Sequence, residues 1–305
     1  MVNNVAAGKV GLSIYSLYQA INSGELTELQ ALDLIADFGA DNVELVSFVT
    51  PMLEKDGLLE DILAKCKERN LEISAYSIFS DILDREGREY EAEMEQVKKH
   101  IDITRRLGAK IMRSDLTKWG RPPEMNVIEN FERDLPKLVE ICRQFADYAA
   151  QSGITVTVEN HGTYINGGDR VRRLITAVDR ENFRCTLDVG NGLCVDEDPM
   201  VTVKTLLPFA ATIHLKDFLI RKDGMACGAS GPAKFEVAAW LTTNYGNYLK
   251  GTIVGDGDVD VVRIANYIKQ YGYDGAIAVE FEGMEECKLA SKTSLMNVKR
   301  YMTTQ

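Results

Sequence analysis

Four short stretches each end on a side chain that can bind a cation or move a proton: "TVTVE" on Glu159, "TLD" on Asp188, "TIH" on His214 and "AVE" on Glu280. Each sits in a run of β-formers, the mark of a strand. They lie 29, 26 and 66 positions apart, so no local motif joins them. A closed parallel barrel would, because the C-terminal ends of its consecutive strands converge on one mouth. Taken singly, a glutamate at a strand end is commonly a solvated rim residue or a helix cap, and a histidine between Ile213 and Leu215 is commonly a hydrogen-bonded core residue. Four such groups at the same end of four successive strands are harder to dismiss. Three carboxylates brought together without a cation repel one another or are forced to protonate, and a divalent ion removes the conflict. The donor set is oxygen-rich with one nitrogen, which suits Mn²⁺ first, then Mg²⁺ or Co²⁺, and tolerates Zn²⁺; the lack of thiolate argues against a structural zinc. Glu282 competes with Glu280 for the last place, since strand alternation puts both on one face. Glu280 is preferred because Gly283 follows Glu282 at once.

The elements that must position these groups are legible as an alternation. Strand-like runs start at Val10, Asn42, Glu72, Ala109, Thr155, Arg184, Ala211 and Ala276. Between them run amphipathic helical stretches: "ELQALDLIADFG" behind a Thr27/Gln30 capping-box pattern, then "GLLEDILAKCKERN", "YEAEMEQVKKHIDITRRLG", "VIENFERDLPKLVEICRQFADYAAQSG", "GDRVRRLITAVD", "VDVVRIANYIKQYG" and "MEECKLASKTSLMNVKRYM". Pro136 is expected to kink or divide the longest. Eight βα units in 305 residues predict a single α/β domain over 1–305, a (β/α)8 TIM barrel. An open nucleotide-binding sheet is disfavoured because "SIYSLYQAINSG" after the first strand carries no G-x-G-x-x-G. One connection is anomalous: from Asp217 to about Gly257 the chain makes an extended loop after strand seven. It is expected to hold a helix, "PAKFEVAAWLTTNYG", and an extended piece, "YLKGTIVG", as a lid or an oligomer contact on the catalytic rim.

Composition narrows the function. With 35 basic and 46 acidic residues the formal charge is −11, a field that repels nucleic acid and acidic membranes. No apolar run reaches the ~20 residues of a membrane span, and the N-terminus lacks a signal-peptide pattern; a cytoplasmic protein is expected. The 6 cysteines form no C-x-x-C pair and are expected to be buried apolar residues.

"VTVENHG", "CTLDVGN", "ATIHLKDF" and "GDGDVDVVRIANYIKQYGYDGAIAVEFE" together resemble the motifs of the xylose-isomerase-like TIM-barrel superfamily, the sugar phosphate isomerase/epimerase group. The resemblance spans nearly the whole chain. It implies one divalent metal held by Glu159, Asp188, His214 and Glu280, a carbohydrate as small-molecule substrate, and an enediolate mechanism in which Glu159 and Glu280 move protons on opposite faces of a ketose or keto-sugar. Return of the proton to the same carbon gives epimerisation, to its neighbour isomerisation, and loss of a β-hydroxyl gives dehydration. One departure stands out: ketose 3-epimerases read Asp-x-x-His on the sixth strand, whereas here Asp188 is followed by Asn191, a neutral amide in place of a proton donor.

Further candidates follow from position. His161, two residues past Glu159, is expected to contact a sugar hydroxyl or join in proton transfer. Lys216 is read as a cation for a substrate oxygen or as a rim salt bridge with Asp217. Arg113 after strand four is read as a phosphate or carboxylate clamp, or as the partner of Asp115. Glu44 at the end of strand two is expected to orient neighbours, His100 to be structural, and Trp119 and Tyr15 to pack or to line an apolar wall. A metal-dependent isomerase or epimerase is the leading expectation and a lyase on an inosose or 3-keto-glycoside the second; from another class comes a non-catalytic sugar-binding subunit. A three-zinc DNA-repair nuclease is disfavoured by the acidic field and the 3 histidines. A homo-oligomer is a weak expectation for a barrel with a rim insertion.

Overall fold

The computed structural model describes residues 9–118, 121–225, 230–231 and 240–304. Strands β1 (Val10–Ser13), β2 (Asn42–Val46), β3 (Glu72–Ile78), β4 (Ile111–Ser114), β5 (Thr155–Glu159), β6 (Phe183–Asp188), β7 (Ala210–Leu215) and, after an insertion, β12 (Ala276–Val279) close into one barrel in the order β1-β12-β7-β6-β5-β4-β3-β2. Every neighbouring pair is parallel. The connections carry α1 (Tyr18–Asn22), α2 (Glu28–Asp37), α3 (Leu58–Glu68), α4 (Gly87–Leu107), α5 (Ile128–Ala150), α6 (Gly168–Val178), α7 (Pro199–Leu206) and α8 (Val261–Tyr271), with α9 (Cys287–Thr303) after β12. The expected (β/α)8 barrel is therefore present, with its eight strands where alternation put them.

Local chemistry explains several element ends. The Thr27 hydroxyl accepts from the Gln30 N–H at 3.2 Å while the Gln30 side chain accepts from the Thr27 N–H at 2.8 Å, the reciprocal cap that starts α2. Gly39, at φ +83°, ends it in a conformation that other residues adopt reluctantly. Pro136 lies within α5 without dividing it; packing of Phe131, Leu138, Ile141, Cys142 and Phe145 holds the helix on the barrel across the missing N–H. Helix α7 had no place in the sequence expectations, because its eight residues include four that are β-branched, Val201, Thr202, Val203 and Thr205. Asp198 starts it by accepting from the Met200 and Val201 N–H groups at 2.8 and 3.2 Å, with Pro199 in the first turn.

The insertion between β7 and α8 is more ordered than a loop. Strands β8 (Asp217–Arg221), β9 (Ser230–Gly231), β10 (Trp240–Thr242) and β11 (Tyr248–Thr252) form a small sheet in the order β8-β11-β10-β9. The extended piece expected from "YLKGTIVG" is β11. The helix expected from "PAKFEVAAWLTTNYG" is corrected over Trp240–Thr242, which pairs antiparallel with β11; Trp240 and the two threonines after Leu241 favour a strand once a partner edge is at hand. Residues 232–239 of that stretch, and Trp119, lie outside the described residues. Phe218, Leu249 and Cys194 form the sheet's own buried cluster. The Asp196 carboxylate fastens its far end, accepting from Thr243 Oγ1, the Tyr245 N–H and Asn247 Nδ2 at 2.9, 3.0 and 2.6 Å.

The barrel strands are covered on their outer face by helices, so both faces are buried and polarity is free to mark the inside. Along β5, β6, β7 and β12, Val156, Val158, Leu187, Ile213, Leu215, Ile277 and Val279 join the apolar core. The alternate positions Thr157 and Glu159, Thr186 and Asp188, Thr212 and His214, Ala278 and Glu280 are in phase with one another. Thr157 and Thr186 meet at 2.7 Å, one layer below the acidic groups. A polar inner layer in a barrel core is unfavourable unless its groups are paired or hold an ion.

Candidate metal centre and acid/base site

Register brings the four strand-end groups together. Asp188 pairs with His214, and Glu159 with Thr186 beside Asp188. Glu280 follows β12 directly, its N–H donating to the Leu215 carbonyl at 3.0 Å. One donor atom from each of Glu159, Asp188, His214 and Glu280 lies within 4.8 Å of the other three, and all four residues are buried. His214 Nδ1 is 3.3 Å from Glu159 Oε1, 3.8 Å from Glu280 Oε1 and 4.0 Å from Asp188 Oδ2.

Three of the four groups have an atom left over. Glu159 Oε2, Asp188 Oδ2 and His214 Nδ1 are buried and have no hydrogen-bond partner among the described residues. Arg113 Nε comes within 2.7 Å of Glu159 Oε2, but its N–H is not aimed at that oxygen, so the contact is one of charge rather than a hydrogen bond. Buried, unpaired donors and acceptors converging on one point are what a bound cation satisfies. Three carboxylates and one imidazole fit Mn²⁺, Mg²⁺ or Co²⁺.

Two cations of the protein flank the cluster. Lys216 is buried, with Nζ 2.5 Å from Glu280 Oε2, 3.0 Å from Glu282 Oε2 and 3.4 Å from Asp188 Oδ2, and it donates to Asn191 Oδ1 at 3.3 Å. Asn191 Nδ2 in turn donates to Glu159 Oε1 at 3.2 Å. Burial alone would lower the Lys216 pKa, yet Asp188, Glu280 and Glu282 drive it far above its ordinary range. Burial likewise pushes Glu280 up, but Lys216, His214 and Arg113 outweigh it and hold the carboxyl well below the usual range. For Asp188 burial wins: with Glu159 and Glu280 adding repulsion against the pull of Lys216, its pKa is pushed up to about 6. Its Oδ1 accepts from the Gly190 and Asn191 N–H groups at 2.8 and 2.7 Å, which aims Oδ2 inward.

On the other side stands a second group. Arg113 is buried, Nη2 2.8 Å from Asp115 Oδ1, and Asp115 Oδ2 is 2.9 Å from His161 Nδ1. Burial raises the Asp115 pKa, but Arg113 and His161 bring it down to about 2. Arg113 is thus engaged by Asp115 and Glu159, and its guanidinium lies 5.0 Å over the Phe79 ring. A pocket beside Glu159 is lined by Asp115, Lys118, Arg121, His161, Thr163 and Tyr164. Across the mouth, Tyr15, Phe48 and Phe79 stand in edge-to-face contact with centroids 5.8 and 5.2 Å apart, and Phe79 meets His161 at 6.0 Å. Phe48 and Phe79 are each 43% exposed.

Of the residues singled out in the sequence, eight gather here and divide into an inner group, Glu159, Asp188, His214, Glu280, Asn191 and Lys216, and the Arg113–His161 pair held by Asp115. The rim salt bridge between Lys216 and Asp217 does not form: neighbours on a strand face opposite ways, and Asp217 points out of the lumen. The apolar wall expected of Tyr15 is there, and what the sequence reading missed are the two aromatic residues that extend it. Phe48 and Phe79 stand one or two residues past the ends of β2 and β3, the same signal that found Glu159, but aromatic residues there read as packing.

Comparison with known proteins agrees with the barrel fold. The family model described as xylose isomerase-like TIM barrel matches residues 32–300. An inosose dehydratase of Lactiplantibacillus plantarum is 26% identical over 234 residues, 73% of each chain. Among solved structures, D-psicose 3-epimerase of Clostridium cellulolyticum H10 superposes with TM-score 0.73 at 13% identity, covering 97% of this chain and all of that one. A xylose isomerase-like TIM-barrel protein of Mycobacterium smegmatis in complex with magnesium gives TM-score 0.70 at 16% identity over 98% of both chains.

Proposed function

Because the chain belongs to the xylose isomerase-like TIM-barrel family, we propose that it is a divalent-metal-dependent enzyme acting on the carbon beside the carbonyl of a cyclic keto-sugar or keto-polyol, and that it completes the reaction by eliminating water. The observation that carries this reading is the buried cluster of Glu159, Asp188, His214 and Glu280, with an atom on three of the four that makes no hydrogen bond among the described residues. Those four residues would hold the ion, which supplies a Lewis acid for a substrate oxygen and stabilises developing negative charge. Everything else falls to side chains of the chain itself. Glu159 and Glu280, on β5 and just past β12, are the two carboxylates placed to take the proton from carbon. Arg113 and Asn191 orient Glu159 as Lys216 orients Glu280, and these contacts keep both carboxyls ionised.

Elimination is favoured over epimerisation by His161. It stands beside Glu159 with its Nδ1 2.9 Å from Asp115 Oδ2, a contact that fixes the direction of the ring. His161 then gives a proton to the departing β-hydroxyl while the electron pair left on carbon forms the new C=C bond, so that water leaves and an unsaturated ketone remains. The likeness to an inosose dehydratase supports the same outcome. The aromatic row of Tyr15, Phe48 and Phe79 suits the apolar face of a ring lying across the mouth. Epimerisation is the second reading, supported by the placement of Glu159 and Glu280 at the ends of separate strands and by the likeness in fold to an epimerase.

Incubation of the Mn²⁺-loaded protein with ring ketoses, keto-inositols and 3-keto-glycosides in D₂O separates the two. Loss of water with enone absorbance is the expected result; deuterium at carbon with no water lost supports epimerisation instead. Glu159→Gln and Glu280→Gln are each expected to cut turnover by about 10³. Unchanged turnover in both would refute the acid/base roles; a wild type that binds these compounds and turns none of them over would leave a sugar-binding subunit.

A further inference from the structure

Glu44 stands behind His214 rather than among the ligands. It belongs to β2, which is separated from β7 by β1 and β12, so its side chain crosses the lumen to reach its partner. Glu44 Oε1 accepts a hydrogen bond from Ser77 Oγ on β3 and lies 3.0 Å from His214 Nε2, with all three side chains buried. The other ring nitrogen, Nδ1, faces Glu159, Glu280 and Asp188 and makes no hydrogen bond among the described residues. A neutral imidazole carries one N–H and one lone pair. A carboxylate at Nε2 selects the N–H for that nitrogen, which leaves the lone pair on Nδ1, pointing into the cluster.

We propose that Glu44 is a positioning residue of the metal centre: it fixes His214 as the Nε2–H tautomer, presents Nδ1 to the ion, and is itself aimed by Ser77. The inference rests on the metal reading above. It ties three strands that donate no other ligand or only one, so that the ring cannot turn its second nitrogen inward without breaking a buried contact. A carboxylate on the outer nitrogen also makes the inner one a stronger donor.

The test is metal affinity together with tautomer, neither of which needs a substrate. Glu44→Gln keeps the shape of the side chain and removes its charge; Mn²⁺ and Zn²⁺ are each expected to bind about 10- to 100-fold more weakly, with a smaller loss in the same direction for Ser77→Ala. In the Zn²⁺-loaded wild type, ¹⁵N spectra of labelled histidine should show His214 protonated at Nε2 and metal-bound at Nδ1, and a shift of that Nε2–H resonance in Glu44→Gln. Metal on Nε2, or a variant dissociation constant within about twofold of wild type, overturns the proposal while leaving the metal centre intact. A wild type that binds neither ion removes the metal reading and this inference with it. Should Glu44→Gln fail to fold, the wild-type spectrum and Ser77→Ala still decide.

Discussion

His100 is the histidine that stays out of the site, and its surroundings make it a stability element instead. Its Nδ1 meets Tyr76 Oη at 3.0 Å, and burial lowers its pKa to about 4 from 6.5. Between those values the unfolded chain binds more protons than the folded one, so stability rises with pH through the window, is complete above about pH 6.5 and is lost as pH falls toward 4. The contribution is on the order of 3 kcal/mol. Denaturant midpoints from pH 7 to 4 should fall more steeply for the wild type than for His100→Gln; parallel slopes would show that His100 titrates as an ordinary histidine. The same scale separates two neighbours, Lys216 and Asp217. Lys216 turns into the lumen among Asp188, Glu280 and Glu282, whereas Asp217 turns out toward the inserted sheet. Their adjacency in sequence suggests a salt bridge, and strand alternation forbids it.

Among the elements, the inserted sheet depends on that outward turn. The Asp217 carboxylate accepts from the N–H groups of Phe218, Gly255, Gly257 and Val259 at 2.9, 2.9, 3.0 and 3.1 Å. One side chain thereby ties the start of β8 to the segment leading into α8. At Gly257 a Cβ would fall 2.1 Å from Asp217 Oδ1, so no larger residue fits so close an approach. Burial raises the Asp217 pKa in spite of the four donors. Asp217→Ala strands those N–H groups, and a loss of about 3 kcal/mol is expected. Hydrogen exchange should quicken in β8 and β11 and hold its wild-type rate in β5 and β6; uniform acceleration across the barrel would mean that the sheet and barrel open as one unit.

For the molecule as a whole, a −11 charge and an acidic mouth make a cation part of the stability question. Among the described helices none is long and apolar enough to cross a membrane. An ion that binds only the folded chain stabilises it by about 2.7 kcal/mol at a hundred times its dissociation constant. Mn²⁺ at that level should raise the melting temperature by a few degrees, a chelator should reverse the rise, and Asp188→Asn should abolish it. A wild-type melting temperature indifferent to Mn²⁺, Mg²⁺, Co²⁺ and Zn²⁺ would contradict a metal centre.

The sequence by itself determined the eight strands and the convergence of Glu159, Asp188, His214 and Glu280, because period-two alternation fixes which residues share a face and a parallel barrel puts strand ends on one rim. It also fixed the start of α2, where Thr27 and Gln30 act within one turn. Only the tertiary structure decided the partners of those groups. That Arg113 turns to Asp115 and Glu159, that Lys216 joins the acidic cluster, and that Glu44 reaches across the lumen to His214 depend on distances between strands that are far apart in the chain. The inserted sheet was hidden for a related reason: Trp240–Thr242 becomes a strand through the edge that β11 offers, and short segments take their conformation from such partners more than from their own composition.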